Sequence, residues 1–291
     1  MTTDVAVRVE GLSKVYGRLR AVDHLDLEVP RGSAFGLIGP NGAGKTTTFA
    51  VLASLLTPSA GRVEVAGFDP VRAPAEVRRR VGYMPDVMGV YDNLRVDEYL
   101  RFFAASYGIP SRAWAGLVDG LLELVDLGGK RESMVDSLSR GMKQRLSLAR
   151  ALVHDPEVLI LDEPASGLDP RARVELRELL AELRRLGKTI VVSSHILAEL
   201  EEMCTHVAIL EAGRLLAAGP PREIRDRLAV GRQVVVRLAG GEEQVHTVAD
   251  EAGQVELVRR LVQEGLPVVE VAMADGGLED LFMRITKGTV Q

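Results

Sequence analysis

The 291-residue sequence holds a single cysteine, Cys204. That excludes an internal disulfide framework and suits a reducing compartment, with the thiol as a small core group. No run approaches the roughly 18 uninterrupted apolar residues that a membrane-spanning helix needs, so any membrane role is expected to come through a partner. The opening stretch MTTDVAVRVEGL alternates apolar and polar residues and mixes charges, unlike a signal peptide. An excess of positive charge is also missing: the net charge is −5 and the pI near 5.7, which argues against nucleic acid as the main partner. What remains is 46% hydrophobic and 26% charged, ordinary for a globular chain with a sizeable core. The length suits one large domain, or a domain with a smaller appendage.

Val5, Val7 and Val9, and again Leu25, Leu27 and Val29, alternate with polar or small residues, which predicts two half-buried antiparallel strands. Ser33 to Ile38 is an apolar run entering a glycine-rich loop, and Thr46 to Leu56 reads as a helix closed by Thr57-Pro58. A further strand is expected over Arg62 to Phe68, then a mostly helical stretch from about Asp97 to Leu127. Met142, Leu146, Ala149 and Val153 mark one face of the next helix. Val158 to Leu161 and Ile190 to Val192 are continuous apolar runs, the pattern of strands buried on both faces. Asp169-Pro170 opens another helix. Two strands flanking Gly213 predict a hairpin. The expected fold class is therefore α/β with antiparallel additions. Gly219-Pro220-Pro221 punctuates the chain, and the remainder reads as a small α+β appendage. Its expected elements are a short charged helix, strands at Val234 to Leu238 and Val268 to Met273, and helices near Val255 to Glu264 and Leu278 to Ile285.

Gly39 to Thr47 reads GPNGAGKTT between a strand and a helix, which is the setting a P-loop requires. Gly39, Gly42 and Gly44 let backbone N–H groups converge on phosphate oxygens without side-chain clash, with Asn41 and Thr47 in the same phosphate-facing stretch. The helix that starts there turns its positive end to the same anion. Lys45 is expected to reach the β- and γ-phosphates, and the Thr46 hydroxyl to hold Mg²⁺. ATP and Mg²⁺ are thus the expected cofactors. Val158 to Glu163 then reads as a buried strand ending in two carboxylates. Phosphoryl transfer needs a metal to spread developing charge and a group to orient the nucleophile, so Asp162 is expected at the metal and Glu163 toward an attacking water.

With both motifs in place, residues 4 to 220 resemble the ATP-binding subunit of an ABC transporter, in the family's motif order. The resemblance implies a P-loop core of ABC type with a helical subdomain near residues 87–137, and it sets the expected domains at 1–220 and 221–291. It implies that Tyr16 stacks on adenine, an apt use of a π face. It also implies that Ser139 and Gly141, in Leu138-Ser139-Arg140-Gly141-Met142, contact the γ-phosphate held by an opposite subunit. Ser166 to Asp169 matches the family's D-loop, and His195 matches its switch histidine. The partners implied are a second copy, in a head-to-tail dimer around two ATP molecules, and an integral membrane permease. The implied location is cytoplasmic, at the inner face of the membrane.

Two departures stand out. The family's signature is usually LSGGQ, and here Arg140 and Met142 replace a glycine and the glutamine. Arg140 either adds a charge near the nucleotide or lies exposed. Asp86, in Tyr83-Met84-Pro85-Asp86, stands where the family has glutamine; it either faces the metal or water, as an oxygen ligand can, or caps the following turn. SRGMKQR and the Leu278 to Phe282 segment are similar to exporter subunits, which implies export of a hydrophobic small molecule, drug or lipid. Six of the twelve aromatic residues fall between Tyr91 and Trp114, suiting either a small helical core or a groove for a membrane partner's helix. Rival readings are an ABC-type ATPase without a transport role, in translation, DNA repair or cluster assembly, and an independent P-loop kinase.

Overall fold

The computed structural model describes residues 4–87, 89, 93–228, 232–248 and 251–273. Two compact units divide between Gly219 and Pro220. The first opens with β1 (Val5–Tyr16) and β2 (Leu19–Pro30), paired antiparallel. Their alternation buries Val7, Val9, Leu25, Leu27 and Val29 on one face, as period-2 patterning requires. Next come β3 (Ala34–Ile38), buried throughout, α1 (Lys45–Leu52) and β4 (Ala60–Val65), which pairs with the free side of β1. The helix expected to run to Leu56 stops at Leu52. Ser54 takes φ +58° there, and the N–H groups of Leu55 and Leu56 both turn back to the Ala50 carbonyl.

The chain continues through α2 (Pro74–Arg80), β5 (Val81–Met84), α3 (Val96–Ser106), α4 (Ser111–Leu124) and α5 (Arg140–Leu152). The helical stretch expected from Asp97 to Leu127 is thus two helices, broken where Gly108 takes φ +74° and Pro110 follows. After β6 (Val158–Leu161) come α6 (Pro170–Arg185), β7 (Thr189–Ser194), α7 (Leu197–Met203), β8 (His206–Glu211) and β9 (Arg214–Gly219). Asp169 caps α6 by accepting the Ala172 N–H at 2.9 Å, with Pro170 in the first turn.

The main sheet runs in the order β5-β6-β7-β3-β8-β9, with β8 and β9 as the antiparallel edge hairpin and the other pairings parallel. Helices cover a sheet whose inner strands have no exposed face, hence their unbroken apolar sequence. Cys204 lies buried in this unit, and burial pushes its thiol up to about 12. Tyr99 is fully buried as core, with Phe103 edge-on to it at 5.0 Å, while Phe102 and Tyr107 stay exposed. Tyr91, the first aromatic of that cluster, lies outside the described residues.

In the second unit α8 (Pro221–Leu228) precedes β10 (Arg232–Leu238), β11 (Glu243–Val248), α9 (Glu251–Gln263) and β12 (Val268–Met273). The strands form an antiparallel sheet in the order β11-β10-β12. Leu257 and Leu261 of α9 bury against Val234, Val236 and Leu238. The helix expected at Leu278 to Ile285 lies outside the described residues. α2, β5, α7 and β11, four to seven residues each, are too short to show a period in the sequence.

Candidate functional site

Four segments leave the main sheet at the carboxyl ends of neighbouring parallel strands. β5 leads to Pro85-Asp86, β6 to Asp162-Glu163, β7 to His195, and β3 to the glycine loop. The register makes this convergence: Met84 pairs with Leu161, Leu161 with Val192, and Ile38 with Ser194. A crevice beyond the carboxyl ends of such strands is where open α/β sheets bind ligands.

The loop is shaped by close approach. Gly44, at the N-cap of α1, has φ +100°, and a Cβ there would sit 2.5 Å from the Ala21 carbonyl oxygen. A Cβ on Gly39 would meet the Leu210 carbonyl oxygen at the same distance. Lys45 is only 6% exposed, and its Nζ donates to the Gly39 carbonyl at 2.6 Å while standing 3.4 Å from Glu163 Oε1. The loop thus presents N–H groups, the helix end and an ammonium from one side.

The opposite wall is a hydrogen-bonded carboxylate pair. Asp162 is fully buried, and the Ser193 hydroxyl donates to its Oδ1 at 2.5 Å. Its Oδ2 has no hydrogen bond of regular geometry, although Thr46 is near enough to favour the ionised form. Burial raises the Asp162 pKa above the ordinary carboxylate range, and the charges of Glu163 and Asp86 push the same way against Ser193 and Thr46. A hydroxyl and a carboxylate oxygen without a donor are the donor set for a hard divalent cation that keeps most of its ligands from water and phosphate. Among the described residues no cluster of three or more His, Cys, Asp or Glu could hold a metal by itself.

Glu163 takes φ +49°, a conformation that costs a non-glycine residue about 1–2 kcal/mol and needs support from its surroundings. Its N–H donates to Ser193 Oγ at 2.8 Å, and its carbonyl accepts from Gln144 Nε2 at 3.1 Å. The side chain reaches His195, whose Nδ1 lies 2.8 Å from Oε2. His195 itself is half exposed.

The structure therefore brings together Lys45, Thr46, Asp162, Glu163 and His195. Asp86 is exposed beyond β5, close enough for its charge to act on Asp162. Tyr16 ends β1 with its ring exposed and Lys14 Nζ 5.1 Å from its centroid. Ser139 caps α5 by accepting the Met142 N–H at 3.3 Å. Among the described residues, Ser139 and Gly141 make no hydrogen bond or ion pair to the Lys45–Glu163 cluster. Arg140 is exposed, and its Nη2 donates to Ser166 Oγ at 2.9 Å.

Sequence reasoning missed Ser193 and Gln144 as parts of the site. Ser193 had one signal, its place two residues before His195 at a strand end. Gln144 had none in the sequence apart from the family-like run that contains it.

A family profile described as ABC transporter matches residues 22–166. The Nod factor export ATP-binding protein I of Cupriavidus metallidurans is 38% identical, over 96% of this chain and 97% of that protein. The chain belongs to the ABC transporter family. This ABC ATPase is also 36% identical to the bacitracin transport ATP-binding protein BcrA of Bacillus licheniformis, over 97% of both chains. A solved ATP-binding subunit of an ABC transporter superposes at a TM-score of 0.71 with 33% identity, covering 77% of this chain and 94% of that one. The chain is accordingly an ATP-binding and ATP-hydrolysing protein of this family.

Proposed function

We propose that this ABC ATPase works as a head-to-tail pair of copies with two ATP molecules between them, powering a separate integral membrane permease. The permease would hold the substrate path and export a hydrophobic small molecule, drug or lipid, with the ATPase attached at the inner face of the membrane. Relatives covering nearly the whole chain are named for Nod factor export and bacitracin transport, which supports the export reading. No helix among the described residues is long and apolar enough to cross a membrane.

The observation that carries the paired arrangement is the division of the site. Lys45, Thr46, Asp162, Glu163 and His195 supply the phosphate cradle, cation donors and hydrolytic groups. Ser139 and Gly141, at the head of α5, serve nothing in their own cluster and suit a second copy's phosphate at a helix N-terminus. Tyr16 offers a ring face to adenine. Thr46 and Asp162 would hold Mg²⁺, which when bound neutralises phosphate charge. Asp86 joins them as a metal-facing or water-facing oxygen.

Glu163, which stands between Lys45 and His195, accepts a proton from water as the water oxygen bonds to the γ-phosphorus and the bond to the ADP oxygen breaks. With Glu163 ionised, His195 carries its hydrogen on Nδ1 and donates it. The test is Glu163→Gln. General-base removal typically costs 10²–10⁴-fold in rate, so turnover is expected to fall at least about 100-fold. ATP binding should persist, and a dimer should accumulate by size-exclusion chromatography with ATP present. Wild-type turnover by E163Q would refute the assignment, and an ATP-bound variant that stays monomeric would refute the paired site. Co-purification with a polytopic membrane protein tests the permease.

A further inference from the structure

The first two turns of α5 grip the segment after β6 at two places. Gln144, 6% exposed, donates to the main-chain carbonyl of Glu163, and Arg140 donates to the Ser166 hydroxyl. Arg140 also lies across Gly167: a Cβ there would come within 2.7 Å of its Nε. Glu163 begins this turn with its strained positive φ, and such a residue persists only where its surroundings over-determine it. The Ser193 hydroxyl holds one of its peptide groups, and the Gln144 amide holds the next together with the Ser166 N–H of the same turn. Between them they fix the direction in which the carboxylate leaves the chain.

We infer that Gln144 and Arg140 are positioning residues for Glu163. Gln144 fixes the carbonyl of the strained residue, and Arg140 closes the far end of the same turn. A buried glutamine that only satisfies its own amide would leave Glu163 where it is when replaced, as would an arginine that only decorates the surface. Neither touches the reacting atoms, so their removal is expected to lower kcat while leaving ATP affinity alone. The inference rests on the proposed role of Glu163 as the hydrolytic base.

The test compares Gln144→Leu, Arg140→Ala, Glu163→Gln and the Q144L/E163Q double variant in the full chain. It uses steady-state ATPase assays and titration with a fluorescent ATP analogue. Q144L keeps the volume and removes the donor; R140A alters an exposed side chain and reports whether or not Q144L folds. Expected are a kcat at least tenfold lower for Q144L and three- to tenfold lower for R140A, with nucleotide affinity within twofold of wild type. The double variant should be no slower than E163Q, because a misplaced base and an absent base are the same loss. Wild-type kcat in Q144L or R140A alongside an inactive E163Q overturns this inference and leaves the role of Glu163 standing. A further tenfold loss on adding Q144L to E163Q also overturns it, since general damage to the fold multiplies. An E163Q protein with wild-type turnover removes the assignment of the base itself, and the inference with it.

Discussion

Ser193→Ala removes one hydroxyl that the site uses twice. Ser193 Oγ donates to Asp162 Oδ1 and accepts the N–H of Glu163, in a position with no solvent exposure. A hydrogen bond to a charged group contributes about 1.5–3 kcal/mol, and leaving a buried N–H unpaired costs about 1–3 kcal/mol. The low ends together give about 2.5 kcal/mol. Partial access of water at Glu163 holds the upper bound near about 4 kcal/mol. In a unit of this size each kcal/mol moves the melting midpoint by roughly 2–4 °C, so S193A is expected to melt roughly 5–15 °C below wild type at pH 7.5. The pH dependence has a fixed sign. The folded pKa of Asp162 already lies above its ordinary 3.8, chiefly through burial. A carboxyl so raised favours folding below its unfolded pKa and loses that contribution as pH rises through the folded value. Removing the Ser193 donor raises the folded value further, so the deficit should be largest near neutrality and shrink on acidification. Differential scanning fluorimetry of both proteins across pH reads this directly. A midpoint within about 2 °C of wild type at pH 7.5, or a deficit that grows on acidification, would refute the reasoning.

Two further outcomes follow from the same geometry. Gly44→Ala places a Cβ 2.5 Å from the Ala21 carbonyl at φ +100°, so the loop must shift and ATP affinity should fall at least tenfold; an unchanged fluorescent-nucleotide titration would count against the backbone cradle. His154 donates Nε2 to the Val81 carbonyl at 3.1 Å on the edge strand β5, stacks on Tyr107 at 3.8 Å, and has its pKa lowered by burial. A histidine with a depressed folded pKa contributes stability above its unfolded value of about 6.5 that is lost as pH falls through the folded one. Wild type should therefore lose more of its melting temperature than His154→Gln between about pH 7.5 and 5.5, and equal losses would remove His154 from the account.

Much of the fold was legible because its signals are local. β6 matches its apolar run residue for residue, and β3 and β12 match to within one residue. α6 begins where Asp169 and Pro170 say it should. Local signals failed where a turn overrode the helical pattern or where long-range packing decided. α1 stops four residues early because the chain folds back on Ala50. β5 forms at a sheet edge, where β6 pairs with one side and side chains of the helical region close the other: Arg150 donates to the Tyr83 carbonyl, and His154 to that of Val81.

By itself the sequence marked the phosphate cradle and the two carboxylates proposed as cation donor and base. Gly39 to Thr47 is one contiguous stretch, and Asp162 and Glu163 end one strand, so spacing alone carries their chemistry. The sequence also determined the family, through motifs in a set order. Only the tertiary structure decided how Glu163 is held. Ser193, Gln144 and His195 are 30, 19 and 32 residues from it in the chain. They meet because β6 and β7 pair in parallel with Leu161 opposite Val192, and because α5 packs its first turns against the exit of that sheet. Tertiary packing likewise decided the place of Arg140, whose charge turns to Ser166 in its own chain. Hydrogen bonds between distant side chains leave no period and no spacing in a sequence, so the residues that aim the carboxylate become visible only once the strands are in register.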